Sequence, residues 1–264
     1  MSGPAPEILL RVAHLSIRFG GLLAVEDLSF EVVQGEILSL IGPNGAGKTS
    51  AFNAITGYLP PSAGDVHFRD KRLNGLSPHQ IARLGVVRTF QKTSVFGGQT
   101  VRDNVLIGLH LRAQQRAAAI LLGLAGVRRE ERQLREEAAR LLDFIGLGTR
   151  ADTLAAALPY GDLRLLEVAV ALAAGPRLLL LDEPVSGMNG AETDAFMRLL
   201  KRINADGMTV LLVEHDMKMV MGASTRVICL NQGRIIADGP PAEIQRNGEV
   251  IRAYLGERYA RAHG

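Results

Sequence analysis

The stretch ILSLIGPNGAGKTS, residues 37–50, decides the fold of this 264-residue chain. Its first five residues, Ile37 to Ile41, form an apolar run with one serine inside it, which is typical of a buried parallel strand. The run continues into the pattern G-x-x-x-x-G-K-[ST], whose glycines turn the backbone so that its N–H groups cradle phosphates. The residues expected to bind a nucleotide are Gly42, Pro43, Asn44, Gly45, Ala46, Gly47, Lys48, Thr49 and Ser50.

This loop assigns a separate task to each of its functional groups. Lys48 is expected to reach the β- and γ-phosphates, and the hydroxyl of Thr49 to ligate Mg²⁺. A helix predicted over residues 50–57 presents its positive end to the same anion. Because the match lies between a predicted strand and a predicted helix, it favours a nucleoside triphosphate site over an ordinary glycine-rich turn.

Composition places few limits on the partners of the chain. It is 47% hydrophobic and 22% charged, and its formal net charge of +3 is too small to indicate nucleic-acid binding. The lone cysteine, Cys229, excludes an internal disulfide framework and lies in the apolar run VICL, which predicts a buried thiol. The N-terminal residues MSGPAPE do not resemble a secretory signal, and no apolar run is long enough to span a membrane. We therefore expect a cytoplasmic chain that reaches a membrane only through a partner.

The residues before and after the loop predict a β-rich segment. Alternation with period two over residues 15–19 and 28–32 indicates two half-buried strands, antiparallel and joined across Gly20-Gly21. Phe19 either stacks on a nucleotide base or belongs to the core, and its spacing does not decide between the two. Beyond the loop, residues 66–68 and 86–90 are expected to form strands, and residues 78–83 a helix.

Residues 101–157 show a helical pattern with little sign of strands. One face of a predicted helix carries apolar residues at helical spacing, namely Leu134, Ala138, Leu141, Leu142 and Ile145. The charge run VRREERQLREE is most simply the solvated face of that helix, with Glu131 and Arg135 placed to pair. We therefore expect a helical insertion at approximately 92–160 within a single domain of residues 7–258.

A second α/β part follows this insertion. Helices are predicted over Leu163 to Ala174 and Ala191 to Asn204, and buried strands over Leu178 to Leu181 and Thr209 to Val213. Two shorter strands follow at residues 227–230 and 234–237.

Polar residues follow three of these predicted strands, at the edge where ligands bind in parallel sheets. Asp182 is suited to hold Mg²⁺ through water beside Thr49, and Glu183 to act as general base on the attacking water. His215 is placed to contact the γ-phosphate, and Gln91 to complete the Mg²⁺ shell or orient the water. Acidic residues at strand ends are common and a lone histidine is usually structural. The combination with the phosphate loop favours nucleotide hydrolysis.

This set of motifs, in this order, resembles the ATP-binding cassette subunit of ABC transporters, and within it the branched-chain amino acid uptake family. The resemblance runs from about residue 9 to residue 256 and includes RFGGLLAV, GPNGAGKT, GVVRTFQ, LPYG, LLLLDEP, VEHDMKMVMG, NQGRIIADG and VIRAYLGE. It implies an α/β fold of the P-loop NTPase class. The fold would have a mostly parallel core sheet, an antiparallel β subdomain and a helical subdomain insertion.

The resemblance also implies roles for individual residues. Phe19 corresponds to the aromatic residue that stacks on adenine, Gln91 to the Q-loop residue, and His215 to the switch histidine. Residues 186–189 correspond to the D-loop. The segment that completes the ATP site of an opposite subunit would be Leu158, Pro159, Tyr160, Gly161 and Asp162.

Two positions depart from the family pattern. The usual signature Leu-Ser-Gly-Gly-Gln reads LPYGD here, and Pro159 supplies neither a hydroxyl nor a backbone N–H, although Gly161 keeps its N–H. The D-loop ends in Asn189, where aspartate is usual. We therefore hypothesise that, in a dimer with an unlike partner, the site built on this chain's signature is the weaker hydrolyser.

The function implied by the resemblance is ATP hydrolysis, with ATP and Mg²⁺, that powers amino acid import. Expected partners are a second ABC ATPase subunit, different or identical, and two transmembrane permease subunits at the cytoplasmic face of the membrane. A solute-binding protein would act indirectly, and no nucleic acid is expected. Alternatives are amide or urea uptake, lipopolysaccharide export and a soluble ABC ATPase. A phosphate-loop kinase or GTPase would leave the signature segment and His215 without a purpose.

Overall fold

The two strands that the period-two alternation predicts are present, but each begins six or seven residues earlier than expected. The computed structural model describes residues 7–89, 95–113 and 124–254, and it describes the side chains of all these residues except 111–128. Strand β1 is Ile8–Phe19 and strand β2 is Leu22–Val33. They pair antiparallel, and β4 (Ala63–Phe68) and β5 (Lys71–Arg72) extend the sheet in the order β2-β1-β4-β5. The predicted antiparallel subdomain is confirmed.

The apolar runs of the sequence form a second, six-stranded sheet. Its order is β10-β9-β3-β8-β7-β6, parallel throughout except for the antiparallel pair of β9 and β10. All residues of β3, β7 and β8 are buried, which explains why these strands are continuously apolar instead of alternating. The strands are β3 (Ile37–Ile41), β6 (Val86–Arg88), β7 (Leu178–Asp182), β8 (Thr209–Val213), β9 (Arg226–Asn231) and β10 (Arg234–Gly239).

Helices connect these strands, most of them close to the predicted positions, although α7 was not predicted. They are α1 (Lys48–Ile55), α2 (Pro78–Arg83), α3 (Val101–Ala113), α4 (Leu124–Ile145), α5 (Tyr160–Ala173), α6 (Gly190–Ala205), α7 (Met217–Ala223) and α8 (Pro241–Ile244). Residues 248–254 are also helical. Two predicted starts are wrong: α1 begins two residues earlier than expected, at Lys48, and α5 begins three residues earlier, at Tyr160.

The chain divides into two compact units. The first comprises the described parts of residues 1–88, 177–183 and 200–264, and contains both sheets. Its main core is a continuous apolar cluster of strand residues and α1, in which Phe52 and Ile55 are fully buried. Both sheets therefore share one buried interior within this unit.

The second unit comprises residues 89–176 and 184–199 and is mainly helical. In α4 the predicted apolar face is largely buried, with Ala138 and Leu142 fully so, and Arg135 pairs with Glu131 at 2.7 Å as the spacing predicts. Helix α3 packs on α5 at Gly108, where a side chain would lie 2.7 Å from the carbonyl oxygen of Val170. The boundaries 7–258 and 92–160 remain predictions.

Candidate functional site

The loop between β3 and α1 has a backbone that only glycine fits at two points. Gly42 has φ +146°, and a Cβ there would lie 2.1 Å from the carbonyl oxygen of Leu230. Gly47 has φ +101°, and its Cβ would lie 2.5 Å from the carbonyl oxygen of Ala24. The spacing of glycines in the motif therefore has a steric cause, since the loop turns tightly against neighbouring strands.

Lys48 begins α1 and lies inside the loop that precedes it. Its side chain is buried, and Nζ donates hydrogen bonds to the carbonyl oxygens of Gly42 at 2.6 Å and Pro43 at 2.9 Å. The next residue, Thr49, is exposed in the first turn, and no acidic residue occupies that turn. The N-terminal end of α1 thus combines a buried ammonium group, an accessible hydroxyl and an uncompensated helix dipole, a combination that suits a phosphate.

The carboxyl end of β7 places two acidic residues next to each other. Asp182, the last strand residue, is buried, and its Oδ2 accepts a hydrogen bond from Arg88 Nη2 at 2.6 Å. Glu183 leaves the strand with φ +47°, a conformation that is unfavourable for a residue with a Cβ, while its N–H donates to Val213 O at 2.9 Å. The turn therefore begins immediately after Asp182, and the backbone of Glu183 is held against the end of β8.

The end of β8 brings a histidine to the second of these carboxylates. His215 Nδ1 lies 3.7 Å from Glu183 Oε1, and the imidazole is 57% exposed. The fully buried Glu214 accepts the backbone N–H groups of His215 and Asp216, which fixes the turn after the strand. The structure thus places Glu183 and His215 together at one edge of the parallel sheet.

Two further predicted residues have different outcomes. Phe19 ends β1 with 49% of its surface exposed, so the alternative that it is a core residue is wrong. Gln91 lies outside the described residues.

In the second unit, the predicted signature segment opens a helix. Pro159 is the N-cap of α5, so Tyr160, Gly161 and Asp162 form its first turn. The carboxylate of Asp162 pairs with Arg150 at 3.0 Å. The first N–H groups of a helix have no intrahelical acceptor, so this turn presents donors at its start.

Tyr160 belongs to a set of bonded side chains that we call the Tyr160 cluster, formed with Arg164, Glu167 and Ser186. The hydroxyl donates to Ser186 O at 2.8 Å and accepts from Arg164 Nε and Nη2 at 3.0 and 2.7 Å. Arg164 Nη1 also pairs with Glu167 at 2.8 Å, and both side chains are almost fully buried. Desolvation raises the pKa of Glu167, and the nearby guanidinium only partly opposes this.

Asn189, the second departure from the family pattern, caps α6. Its Oδ1 accepts the N–H groups of Ala191 and Glu192, and its own N–H donates to Glu192 Oε2 at 2.8 Å. This reciprocal arrangement is a capping box, and asparagine and aspartate serve almost equally well as N-caps. The replacement of aspartate therefore preserves the local backbone.

Comparison with known proteins decides the family. The model of the family described as "ABC transporter" matches residues 25–186, which is more than half of the chain. The chain belongs to the ABC transporter family. A second family model, "Branched-chain amino acid ATP-binding cassette transporter", matches residues 234–260 of the cassette.

Individual relatives resemble the cassette over nearly its whole length. It is 46% identical to the high-affinity branched-chain amino acid transport ATP-binding protein LivG of Escherichia coli, covering 94% of this chain and 98% of that protein. Its identity to BraF of Pseudomonas aeruginosa, which carries the same description, is 43% over the same shares. A crystal structure of the ADP conformation of MJ1267, an ATP-binding cassette of an ABC transporter, superposes with a TM-score of 0.81 at 27% identity, covering 95% and 99% of the two chains.

The family match and the geometry of the phosphate loop together establish that the chain is a nucleotide-binding ATPase of the transporter type. No helix among the described residues has the length and hydrophobicity needed to cross a membrane. Within the same part of the chain, no cluster of three acidic, histidine or cysteine side chains is placed to hold a metal ion. The oxygen atoms of Thr49 and Asp182 nevertheless suit Mg²⁺, which is commonly held by one or two protein groups together with phosphates and water.

Sequence reasoning missed the partner of Asp182. Arg88 lies in the motif GVVRTFQ, which indicates the family resemblance but not the role of this arginine. The sequence shows an arginine within a predicted parallel strand, where a charge requires an acidic partner, but it does not show which residue that partner is.

Proposed function

We propose that the cassette is the ATP-hydrolysing subunit of an importer of branched-chain amino acids. The observation that carries this is the 46% identity to LivG over 94% of the chain, joined by the match of residues 234–260 to the branched-chain family model. Lipopolysaccharide export and amide or urea uptake are the alternatives, and neither is supported by that C-terminal match.

For hydrolysis we assign the general base to Glu183. Its carboxylate is about one quarter exposed, so it is accessible to a water molecule. His215 Nδ1 lies 3.7 Å from Glu183 Oε1, and we propose that it contacts the γ-phosphate and holds the carboxylate in position. Gln91 is proposed to orient the water or join the Mg²⁺ shell.

For ATP binding we assign the phosphates to the loop of residues 42–50. Lys48 now donates to two loop carbonyls, and we propose that a phosphate oxygen replaces one of them when ATP binds. Thr49 and Asp182 would hold Mg²⁺, which supplies charge neutralisation for the phosphates. The exposed ring of Phe19 is available to stack on adenine.

We propose that two cassettes, alike or different, enclose ATP between them and act on two permease subunits. The chain would then be peripheral to the membrane at its cytoplasmic face, and a solute-binding protein would deliver the substrate. ATP would favour the closed pair and hydrolysis would release it, so that the energy enters as a difference in affinity between two states.

Transport of the amino acid tests the first proposal. In cells from which the gene has been deleted, uptake of radiolabelled leucine should be restored by the wild-type chain but not by Glu183→Gln. The control Glu131→Gln removes an exposed carboxylate on α4 and should restore uptake fully. Normal leucine uptake in the deletion strain, together with copurification of lipid-export subunits, would instead support the export alternative.

We further propose that the two ATP sites of a mixed dimer are unequal. The hydroxyl of Tyr160 is engaged by Ser186 and Arg164, and the carboxylate of Asp162 is paired with Arg150, so both side chains are bonded within their own chain. The site built on this chain's phosphate loop should be the stronger hydrolyser. Comparing ATP turnover of Glu183→Gln with that of the equivalent change in the partner tests this, and equal losses would refute it.

A further inference from the structure

Arg88, at the end of β6, connects three parts of the first unit through one guanidinium group. Its Nη2 donates to Asp182 Oδ2 at 2.6 Å, and its Nη1 donates to Asn53 Oδ1 at 2.8 Å and Thr56 Oγ1 at 3.0 Å. Asn53 lies in α1 and Thr56 is its C-cap, whereas Asp182 ends β7. The arginine therefore ties the end of β7 to the helix that begins with Lys48.

The surroundings of the guanidinium restrict its movement. The side chain of Arg88 is only 8% exposed, and that of Asp182 only 3%. The guanidinium lies 5.4 Å from the ring centre of Phe52 and 5.8 Å from that of Tyr58. Thr56 donates its own hydroxyl proton to Phe52 O at 2.6 Å, which leaves the lone pairs of Oγ1 to accept from the arginine.

The ion pair has an orienting effect that a lysine would not reproduce. A guanidinium is a planar group whose donors have fixed directions, whereas an ammonium is a single charge on a flexible stem. Arg88 uses Nη1 on α1 and Nη2 on Asp182 at the same time, so the position of one contact fixes the other. Asp182 Oδ2 is thereby occupied, and Oδ1 is the oxygen that the guanidinium leaves for another ligand.

We propose that Arg88 is a positioning residue that orients Asp182 so that Oδ1 faces the water shell of Mg²⁺. This rests on the proposed role of Asp182 in metal binding. Groups that hold a metal-binding side chain in place typically change metal affinity by roughly 10- to 100-fold when they are altered. Arg88 thus raises the affinity of the site for Mg²⁺ in the presence of ATP, although it contacts neither the ion nor the nucleotide.

The test separates nucleotide binding from Mg²⁺ dependence. Affinity for a ribose-labelled fluorescent ATP analogue is measured on the purified full chain in EDTA and over a Mg²⁺ titration. Arg88→Lys should keep the affinity in EDTA within about twofold, while the Mg²⁺ concentration for half-maximal tightening rises by about tenfold or more. The matched control is Arg72→Lys, because Arg72 forms an exposed ion pair with Asp65 and should leave both quantities unchanged.

A second variant covers the case in which Arg88→Lys does not fold. The double change Asn53→Ala with Thr56→Val removes the two α1 acceptors and keeps the arginine and Asp182. It should also raise the Mg²⁺ requirement, by a smaller factor than Arg88→Lys.

Asp182→Asn separates failure of this inference from failure of the proposed site. If Asp182→Asn alters the Mg²⁺ requirement and the Arg88 and α1 variants do not, the positioning role is refuted and the metal role of Asp182 stands. If Asp182→Asn itself leaves the Mg²⁺ requirement unchanged, the assignment of Asp182 fails and the inference fails with it. An equal loss of affinity with and without Mg²⁺ in Arg88→Lys would show a structural role only, and would also overturn the proposal.

Discussion

Replacing Arg164 by methionine should destabilise the protein strongly and in a pH-dependent way. Arg164 and Glu167 form an ion pair at 2.8 Å with side chains only 10% and 5% exposed. Removing one partner of a buried pair costs about 3–5 kcal/mol, because the other charge stays buried without compensation. Tyr160 adds little to this cost, since its hydroxyl still donates to Ser186 O.

The pH dependence follows from the carboxyl group that remains. The pKa of Glu167 is already raised by desolvation above its ordinary value of 4.5, and Arg164 opposes that rise through a hydrogen bond and its charge. Without Arg164 the pKa rises further. A carboxyl group with a raised folded pKa contributes stability that is fully present below the unfolded pKa and is lost as pH rises through the folded pKa. The penalty should therefore be smallest below about pH 4.5 and grow by at most about 1.4 kcal/mol per pH unit.

Urea unfolding followed by circular dichroism measures this penalty, since the chain has no tryptophan for fluorescence. Between about pH 5 and pH 8 the free energy of unfolding of Arg164→Met should fall progressively below that of the wild type. The double variant Arg164→Met with Glu167→Met should be more stable than the single variant at pH 8. Arg135→Met, which breaks the exposed pair with Glu131, should cost less than about 1 kcal/mol. A penalty that is equal at both pH values would refute the reasoning.

Three further predictions concern other parts of the structure. Gly45→Ala should lower the free energy of unfolding by about 1–2 kcal/mol, because its φ of +80° is unfavourable for alanine. Gly42→Ala should also abolish binding of the fluorescent nucleotide, because its Cβ would lie 2.1 Å from Leu230 O. Cys229 is fully buried and its pKa is raised by desolvation to about 11, so Ellman's reagent should release colour only after denaturation, and reaction of the native chain would contradict this. Tyr160→Phe removes three hydrogen bonds of the Tyr160 cluster and should lower the free energy of unfolding by about 1–3 kcal/mol. A change near zero would contradict this prediction.

The positions of Glu183 and His215 at the edge of the parallel sheet could be predicted from the sequence, because each residue follows a strand with an unambiguous pattern. Residues 178–181 and 209–213 are continuously apolar and too short for helices, so the positions of Glu183 and His215 followed from the ends of those strands. A parallel sheet brings such ends to one edge whatever the details of packing. Backbone topology alone was therefore enough to bring Glu183 and His215 together.

The start of α5 was not predictable from periodicity. The apolar pattern begins at Leu163, whereas the helix begins at Tyr160, because the first turn is polar and Pro159 serves as its N-cap. The error illustrates that a helix can begin before its apolar pattern does, since Gly161 is buried in the first turn without adding to that pattern. Hydrophobic spacing therefore locates the middle of a helix more reliably than its start.

The contacts of Arg88 lay beyond sequence reasoning for a different reason. Its partner Asp182 is 94 positions away, and its anchors on α1 are 35 and 32 positions away. Pairing of this kind depends on which strands become neighbours and on the length of one side chain. Local pattern contains neither, so only the folded chain reveals it.

The corrected start of α5 changes what the altered signature is expected to do. Pro159 lacks a hydroxyl and an N–H, but the N–H groups of Tyr160, Gly161 and Asp162 lie in the first turn, where helices leave their donors without internal acceptors. A helix start also carries partial positive charge. Because these backbone features do not depend on the missing serine, we propose that the site completed by this signature is slowed and not abolished. Turnover remaining in a mixed dimer that carries Glu183→Gln would measure that residual activity.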